Sequence, residues 1–300
     1  MEGLTTGSRA VDSFQMHLAD IGDADLEQLH ALSIAVGWPH RAEDWQFLRR
    51  VGHGIAALDD IGRVLGSAMW FPQGETFATI GMVITSPRLQ ALGTAQWLMN
   101  RVMTECDGRT LRLTATRAAR RLYQSLDFLR EQTVFQCQGE ARAAAEQLRA
   151  PEGADVRMLD AMHVAAVVDL DARAFGATRS ALIGSLFQES VGYGLFRDGE
   201  LEAFALCRRF GRGHVVGPVV ASTDAAAIAV VRPHVIQREG QFLRLDTRCS
   251  GGEFRTFLAR SDLSVFDTVL TMSFAGRPSS SGLPNPGNHV TYALASQALA

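Results

Sequence analysis

Hydrophobic and polar residues along the chain follow two periods, one typical of strands and one typical of helices. Strand-like alternation or short apolar runs occupy residues 13–18, 54–58, 64–70, 76–85 and 111–116. Apolar residues recur at helical spacing in residues 25–36, 41–49, 93–106 and 118–126. Strands and helices therefore alternate in the first half, and the turn at residues 59–62 predicts a hairpin.

The second half repeats this organisation. It contains a predicted strand, a helix, a hairpin like that of the first half, and a Leu-Arg-Leu strand, at residues 156–159, 161–175, 192–206 and 242–246. We predict an α/β fold with two tandem domains. The predicted domains are residues 1–140 and 154–300, and the Ala- and Glu-rich residues 141–153 form the linker.

Composition removes several function classes. The chain has 300 residues, 47% of them apolar, and a net charge of -3, which argues against a nucleic-acid partner. No apolar run is long enough for a bilayer and no signal peptide is apparent, so we expect no membrane partner and a cytoplasmic location. Four distant cysteines show no metal-ligand spacing, so no metal is expected. A homodimer is left open.

The most informative segment is residues 81–99. It runs from an apolar strand through Pro87 to a helix whose first turn follows Gly93. The start of a helix presents unpaired N–H groups and the positive end of the helix dipole, so it can hold a diphosphate without lysine. We expect the diphosphate cradle to consist of Gln90, Ala91, Leu92, Gly93, Thr94, Ala95 and Gln96.

The pattern Gln-x-x-Gly-x-Ala at residues 90–95 resembles the pyrophosphate loop of the GNAT superfamily of acyl-CoA-dependent N-acyltransferases. Residues 113–116 and 122–128 are similar to the GNAT signature Leu-x-Ala-Thr followed by Leu-Tyr-x-x-Leu-Gly-Phe. Two positions depart from the pattern. Ala91 and Leu92 stand where Gly and a basic residue are common, and Asp127 stands where Gly is usual.

The resemblance implies acetyl-CoA as co-substrate and direct acyl transfer to an amine. It implies a bulge in the fourth strand, where Met82, Val83 and Ile84 pair with the pantetheine arm and Thr85 touches it. The Val83 N–H would polarise the thioester carbonyl. Tyr123 falls on the family's general acid, and the alternative is a tyrosine that only packs between helix and strand.

The sequence offers fewer clues to the acceptor. No carboxylate lies on the fourth strand, so the general base is not assigned. By position in the fold, Trp38 and Trp70 would wall the acceptor cleft, or else belong to the core. Asp171 would attract a cationic amine and Arg179 would bind a carboxylate, with an ordinary surface ion pair as the equal alternative.

The second half lacks the cofactor loop, because residues 215–221 pass through Ser222, Thr223 and Asp224 directly into an alanine-rich helix. Phe257 falls where the first half has Tyr123. The whole resembles bacterial tandem GNAT proteins, which implies an α/β fold (α+β mixed sheet) of two GNAT-like domains, each a mixed, mostly antiparallel sheet flanked by helices. We therefore expect an N-acetyltransferase acting on a small-molecule amine. A protein N-terminal or lysine acetyltransferase and a non-catalytic acyl-CoA sensor are the alternatives. The tail at residues 276–288 is predicted to be a loop, either mobile or a lid, before a last strand at residues 290–294.

Overall fold

The computed structural model describes residues 8–11, 14–90, 92–143, 151–274 and 287–300. Contacts within the chain divide it into two compact units, Met1–Leu113 and Thr114–Ala300. Part of the predicted linker, residues 144–150, and most of the predicted tail loop, residues 276–286, lie outside the described residues.

The first unit contains six strands and three α-helices in its described part. In chain order they are β1 (Ser8–Val11), β2 (Phe14–Asp20), α1 (Leu26–Ala35), α2 (Ala42–Val51), β3 (His53–Asp59), β4 (Val64–Gln73), β5 (Phe77–Thr85), α3 (Thr94–Glu105) and β6 (Thr110–Ala115), whose last residues fall in the second unit. A 3₁₀ turn at Pro87–Leu89 separates β5 from α3.

The strands of the first unit are ordered by number from β1 to β6, antiparallel except for the parallel pair β5 and β6. Helix α1 begins where the Asp25 carboxylate accepts a hydrogen bond from the Gln28 N–H at 2.9 Å, as expected of an N-cap. Helices α1 and α3 both pack on β4. The core between the layers includes Trp45, Phe71 and Leu98, all fully buried.

The second unit has eight strands and five α-helices among its described residues. They are α4 (Arg120–Ser125), β7 (Phe128–Glu140), β8 (Ala154–Met158), α5 (Val164–Phe175), α6 (Ser180–Gln188), β9 (Ser190–Arg197), β10 (Glu200–Phe210), β11 (Gly213–Ala221), α7 (Asp224–Gln237), β12 (Phe242–Thr247), α8 (Gly252–Arg260), β13 (Ser264–Phe274) and β14 (Val290–Ala293).

The strand order of the second unit is β13, β7, β12, β14, β11, β10, β9, β8. Strands β11 and β12 run parallel where they pair directly, and their neighbours are antiparallel. Its core contains Val230, Leu243, Phe254 and Phe257. Each unit is therefore a mixed, mostly antiparallel sheet flanked by helices, and the predicted fold class is confirmed.

The unit boundary after Leu113 lies earlier in the chain than the predicted boundary at residue 140. The reason is β7, which pairs antiparallel with β12 on one side and β13 on the other. The strand that follows the Tyr123 motif therefore packs with the second half of the sequence. The predicted limits at residues 140 and 154 stay a prediction.

Candidate functional site

Strand β5 bulges at the position that the sequence resemblance implies. Ser67 of β4 pairs with Ile84, and Met69 pairs with Gly81. One residue of β4 thus separates these two pairs, whereas two residues of β5 do. Strand β5 therefore holds one extra residue, which defines a β-bulge. Met82 lies in this bulge with a φ of 51°, in the left-handed region that side chains rarely adopt.

Beside the bulge, β5 leaves its parallel neighbour. The pairs between β5 and β6 run from Phe77 with Thr110 to Ile80 with Leu113. In the described part of the chain, β6 has no pair with the residues of β5 after Ile80. The backbone of Met82, Val83, Ile84 and Thr85 therefore has an edge that an extended ligand can pair with, as an added strand would.

A buried serine holds the bulge in place. The Ser67 hydroxyl donates a hydrogen bond to the Met82 carbonyl at 2.8 Å, and Ser67 has no exposed surface. The bond fixes the peptide whose N–H belongs to Val83, the proposed donor to the thioester carbonyl. Sequence reasoning missed Ser67, because a serine inside a strand gives no local signal of such a role.

The loop after β5 ends at Gly93, which is the N-cap of α3 and has a φ of 78°. No side chain in the described part of the chain caps this helix, and its first intrahelical bond runs from the Trp97 N–H to the Gly93 carbonyl at 3.0 Å. The N–H groups of Thr94, Ala95 and Gln96 therefore precede the first intrahelical donor and have no acceptor within the helix, as the start of a helix requires. This is the arrangement that a bound anion needs.

The predicted cradle residues differ in exposure. Gln90, Leu92 and Gln96 are exposed, whereas Thr94 is buried. Within the described residues the buried Thr94 hydroxyl has no hydrogen-bond partner, so it can serve a ligand at the start of the helix. Ala91 lies outside the described residues.

Arg9 of β1 adds a positive charge to this loop. Its guanidinium donates to the Gly93 carbonyl at 2.8 Å and to the Leu92 carbonyl at 3.0 Å. A Cβ on Gly93 would lie 2.7 Å from the Arg9 Nη2 atom, so the bare glycine makes room for the guanidinium. Sequence reasoning missed Arg9, which places a positive charge beside a loop that has no basic residue of its own at Leu92.

Tyr123 lies on α4, in the second unit, and is almost fully buried. Its ring centroid is 6.1 Å from that of Phe128. Burial raises the pKa of the Tyr123 hydroxyl above its ordinary value, so the group stays protonated at neutral pH. A proton donor must hold its proton before the reaction, and this environment meets that condition.

Nearby in the motif, Asp127 has a φ of 62°. This explains why glycine is usual there, since only glycine adopts that conformation without strain. The departure from the family pattern changes the residue but keeps the turn.

Trp38 and Trp70 both make aromatic contacts within the first unit. Trp38 is half-buried and lies edge-on to His40, with ring centroids 5.9 Å apart. Trp70 of β4 is 9% exposed and lies against His53 at 5.7 Å. Trp38 keeps part of its surface accessible, whereas Trp70 belongs to the buried core, and their place in an acceptor cleft stays a prediction.

The ion pair between Asp171 and Arg179 exists, but it is buried. The predicted alternative of a surface ion pair is therefore wrong in its position. Arg179 donates to Asp171 through Nε at 2.6 Å and through Nη2 at 2.8 Å, and both side chains are 1% exposed. Its Nη1 donates to the Leu299 carbonyl at 3.0 Å. The turn between α5 and α6 brings the two residues together, and both charges are engaged inside the second unit.

The general base stays unassigned, although the first unit contains the acid–base residues Asp44, His53 and Glu75. Asp44 is buried and binds Arg41 at 2.7 Å, while His53 and Glu75 are exposed. Among the described residues, no group of three or more His, Cys, Asp or Glu side chains could hold a metal ion. None of the described helices is long and apolar enough to cross a membrane.

Comparison with protein families identifies both halves of the chain. The sequence signature described as the acetyltransferase (GNAT) family matches residues 24–128, and that described as an acetyltransferase (GNAT) domain matches residues 167–282. The chain is a tandem GNAT protein. The first signature spans the β5 bulge, the Gly93 loop and Tyr123, and GNAT domains carry out acyl transfer, so this tandem GNAT protein is an acyltransferase.

Solved structures share this fold over nearly the whole tandem GNAT chain. A Pyrococcus horikoshii protein, provisionally described as an acetyltransferase, superposes with a TM-score of 0.71 at 17% identity, over 100% of this chain and 99% of its own. A tandem GNAT protein from the clavulanic acid biosynthesis pathway gives 0.64 at 14% identity, over 88% of this chain and 100% of its own.

A third similar structure is a glucosamine N-acetyltransferase region in a fungal multi-domain β-N-acetylglucosaminidase. It superposes with a TM-score of 0.63 at 13% identity, over 89% of this chain and 39% of its own. At these identities the likeness concerns the fold alone. No curated protein that was compared matches this tandem GNAT protein.

Proposed function

We propose that the protein transfers an acetyl group from acetyl-CoA directly to the amine of a small molecule, with the acetyl donor bound in the first unit. The observation that carries this proposal is the β5 edge. This strand bulges at Met82 and pairs with β6 only as far as Ile80, and the start of α3 follows after a short loop.

The first unit has binding groups suited to two parts of acetyl-CoA, its pantetheine arm and its diphosphate. The open backbone from Met82 to Thr85 matches an extended arm that carries amide groups, such as pantetheine. The α3 start at Gly93 offers free N–H groups, the buried Thr94 hydroxyl offers a donor, and Arg9 offers a cation. These groups suit a diphosphate, because anions bind where backbone donors and positive charge converge.

The residues then have separate chemical tasks. Acetyl-CoA supplies, when bound, an acetyl group already activated as a thioester. The Val83 N–H donates to the carbonyl oxygen and stabilises the charge that develops there as the amine nitrogen forms its bond to the carbonyl carbon. By its place in the GNAT motif, Tyr123 would donate the proton that the sulfur takes up as the carbon–sulfur bond breaks. The amine releases its own proton to water, which restores the tyrosine through the solvent.

We choose a small molecule as acceptor for two reasons. One similar structure is a glucosamine N-acetyltransferase region, and another is a tandem GNAT protein of clavulanic acid biosynthesis. In addition, the described cysteines are free thiols, which supports the proposal of a reducing, cytoplasmic setting with soluble metabolites at hand.

The test combines binding with turnover. Purified protein is titrated with CoA, and acetyl-CoA is then incubated with amino acids, amino sugars, polyamines and lysine-containing peptides while free thiol is followed. We expect thiol release with at least one small amine, and loss of CoA binding in Gly93→Val, because a β-branched side chain is strained at positive φ. Melting curves check that this variant folds.

Each contrary outcome has a distinct meaning. Turnover with peptides alone would make the protein a protein acetyltransferase. Tight CoA binding without turnover on any amine would make it a sensor. Absence of CoA binding to the wild-type protein would overturn the proposal altogether.

A further inference from the structure

The second unit contains the same bulge as the first, in the corresponding strand. Ala205 of β10 pairs with Val219, and Cys207 pairs with Val216. Two steps along β10 therefore face three steps along β11, as two steps along β4 face three along β5. The second unit has kept the strand geometry of a donor site although its sequence lacks the Gly-containing loop.

The gap beside this bulge is filled by the chain itself. Strands β11 and β12 pair in parallel at His214 with Leu243 and at Val215 with Arg244. Farther along, β14 lies between them, antiparallel to both. Ala293 of β14 pairs with Val219 of β11 and with Thr247 of β12. The C-terminal strand thus takes the backbone edge that the corresponding strand β5 leaves open.

Close backbone contacts hold β14 in this gap. The Leu294 N–H donates to the Asp246 carbonyl at 2.8 Å. A Cβ on Gly217 would collide with the Leu294 carbonyl, so the glycine in the bulge lets the segment approach. Beyond β14, Arg208 donates to the Ala295 carbonyl at 3.2 Å from a buried position.

The start of α7, which corresponds to the start of α3, is also occupied by protein groups. The Thr223 hydroxyl caps it by accepting a hydrogen bond from the Ala226 N–H at 3.2 Å. Asp224 places a carboxylate in the first turn, whereas the first turn of α3 has no acidic residue. A carboxylate at this position repels a diphosphate and satisfies the helix dipole in its place.

Tyr292 joins these two features. Its hydroxyl donates from β14 to one Asp224 oxygen at 2.9 Å, and the Phe254 N–H donates to the other oxygen at 2.9 Å. The strand in the gap and the anion at the helix start therefore form one hydrogen-bonded assembly. An extended segment linked to an anion at a helix start is the same combination that an acyl-CoA presents.

We propose that the C-terminal segment from Val290 to Leu294, together with Asp224, is a built-in substitute for acyl-CoA that permanently occupies the donor slot of the second unit. The protein therefore binds one acyl-CoA per chain, in the first unit. The predicted number of acyl-CoA molecules per chain rests on the proposed function. The occupancy of the second unit's slot by β14 does not depend on that function.

Calorimetric titration with CoA tests the stoichiometry in the wild type and in Gly93→Val. We expect one site per chain in the wild type and none in the variant. Two sites in the wild type with one retained in Gly93→Val would overturn the inference and leave the proposed function intact. One site in both proteins would place the donor in the second unit and overturn both.

Hydrogen exchange tests the slot without any ligand. In the free protein, we expect the amides of residues 291–294 to exchange at least about a hundredfold more slowly than an unstructured chain, because they are paired in the sheet interior. Added CoA should leave this rate unchanged and slow exchange in residues 82–96. Exchange of residues 291–294 at the unstructured rate would overturn the inference even if the protein binds no CoA.

Discussion

The Ser67 hydroxyl on β4 donates a 2.8 Å hydrogen bond to the main-chain carbonyl of Met82, across the strand pair and inside the bulge of β5. Met82 is held at a φ of 51°. A non-glycine residue in that region costs on the order of 1–3 kcal/mol and persists only where the surroundings enforce it. Ser67 is one of those surroundings, and it fixes the peptide that presents the Val83 N–H.

Ser67→Ala should therefore impair both folding and activity. We expect the free energy of unfolding to fall by about 1–3 kcal/mol, because the Met82 carbonyl loses its donor in a buried site. We expect kcat/KM to fall at least about tenfold, since the Val83 N–H loses its fixed direction. Urea unfolding and initial rates provide the two measurements.

Ser185→Ala is the matched control, since its hydroxyl donates a solvent-exposed hydrogen bond to the Ala181 carbonyl at 3.0 Å within α6. It should resemble the wild type in both measurements. If Ser67→Ala behaves like this control, the hydroxyl does not hold the bulge.

Arg9→Gln should weaken the binding of CoA but not of acetyl-pantetheine, which lacks the diphosphate. The guanidinium lies on the Leu92 and Gly93 carbonyls, so it places a positive charge beside the start of α3. Loss of one charge-assisted contact of about 1.5–3 kcal/mol raises the Kd roughly ten- to a hundredfold.

Arg101→Gln serves as control. Arg101 lies on α3 and binds Glu105 in the last turn of that helix. Its Kd for CoA should equal that of the wild type. An equal loss of affinity for CoA and acetyl-pantetheine in Arg9→Gln would mean that Arg9 supports the loop and does not contact phosphate.

The local pattern predicted the elements of the site well. Residues 76–85 and 93–106 were predicted as strand and helix, and the structure has β5 at Phe77–Thr85 and α3 at Thr94–Glu105. These elements depend on local periodicity and on a glycine that permits a positive φ, both visible in the sequence. The last strand, predicted at residues 290–294, was confirmed at Val290–Ala293.

Features set by long-range contacts were not predictable in this way. The Ser67 bond depends on the register between β4 and β5, and Arg9 reaches a loop more than eighty positions away. Asp171 and Arg179 are eight residues apart, beyond helical pairing, and meet only because the chain turns between α5 and α6. The place of β14 depends on a gap that no local pattern records.

Tyr123→Phe should lower kcat by roughly 10²-fold and leave the Kd for CoA nearly unchanged, the effect expected when a general acid is lost. Because burial raises the pKa of the Tyr123 hydroxyl, the protonated form persists beyond the ordinary tyrosine pKa of about 10. Ionisation of this tyrosine should thus cause no alkaline decline of kcat below that pH. Stopped assays of thiol release from pH 7 to 10 measure both effects.

Tyr193→Phe is the companion variant, since Tyr193 lies on β9 and binds Gln237. It should keep wild-type kcat. Equal rates for Tyr123→Phe and the wild type would leave Tyr123 as a packing residue.

Asp171→Asn should destabilise the protein without changing the KM for the amine. It leaves the Arg179 guanidinium buried without its counter-charge, and breaking a buried pair in this way costs about 3–5 kcal/mol. Asp262→Asn removes a carboxylate from an exposed pair with Arg142 at 3.7 Å and should cost under about 1 kcal/mol. A tenfold rise in KM with unchanged stability in Asp171→Asn would restore the substrate role.

His234 should make the folded state sensitive to acid. It is buried in α7, with its Nε2 at 3.2 Å from the Ala205 carbonyl, and burial lowers its pKa from 6.5 to about 4. Between these two values the unfolded chain binds a proton that the folded protein does not, so stability is lost as the pH falls from 6.5 to 4. The loss is about 3 kcal/mol.

His234→Gln tests this linkage, because glutamine has a donor for the Ala205 carbonyl but does not titrate. Urea unfolding from pH 8.5 to 4 should show a shallower decline for the variant between pH 6.5 and 4. Above pH 7.5 the histidine is neutral in both states, so the two curves should run parallel there, offset only by the packing cost of the substitution. Identical slopes in the acid range would show that other groups cause the acid sensitivity, because the proton taken up by His234 on unfolding would then contribute nothing to it.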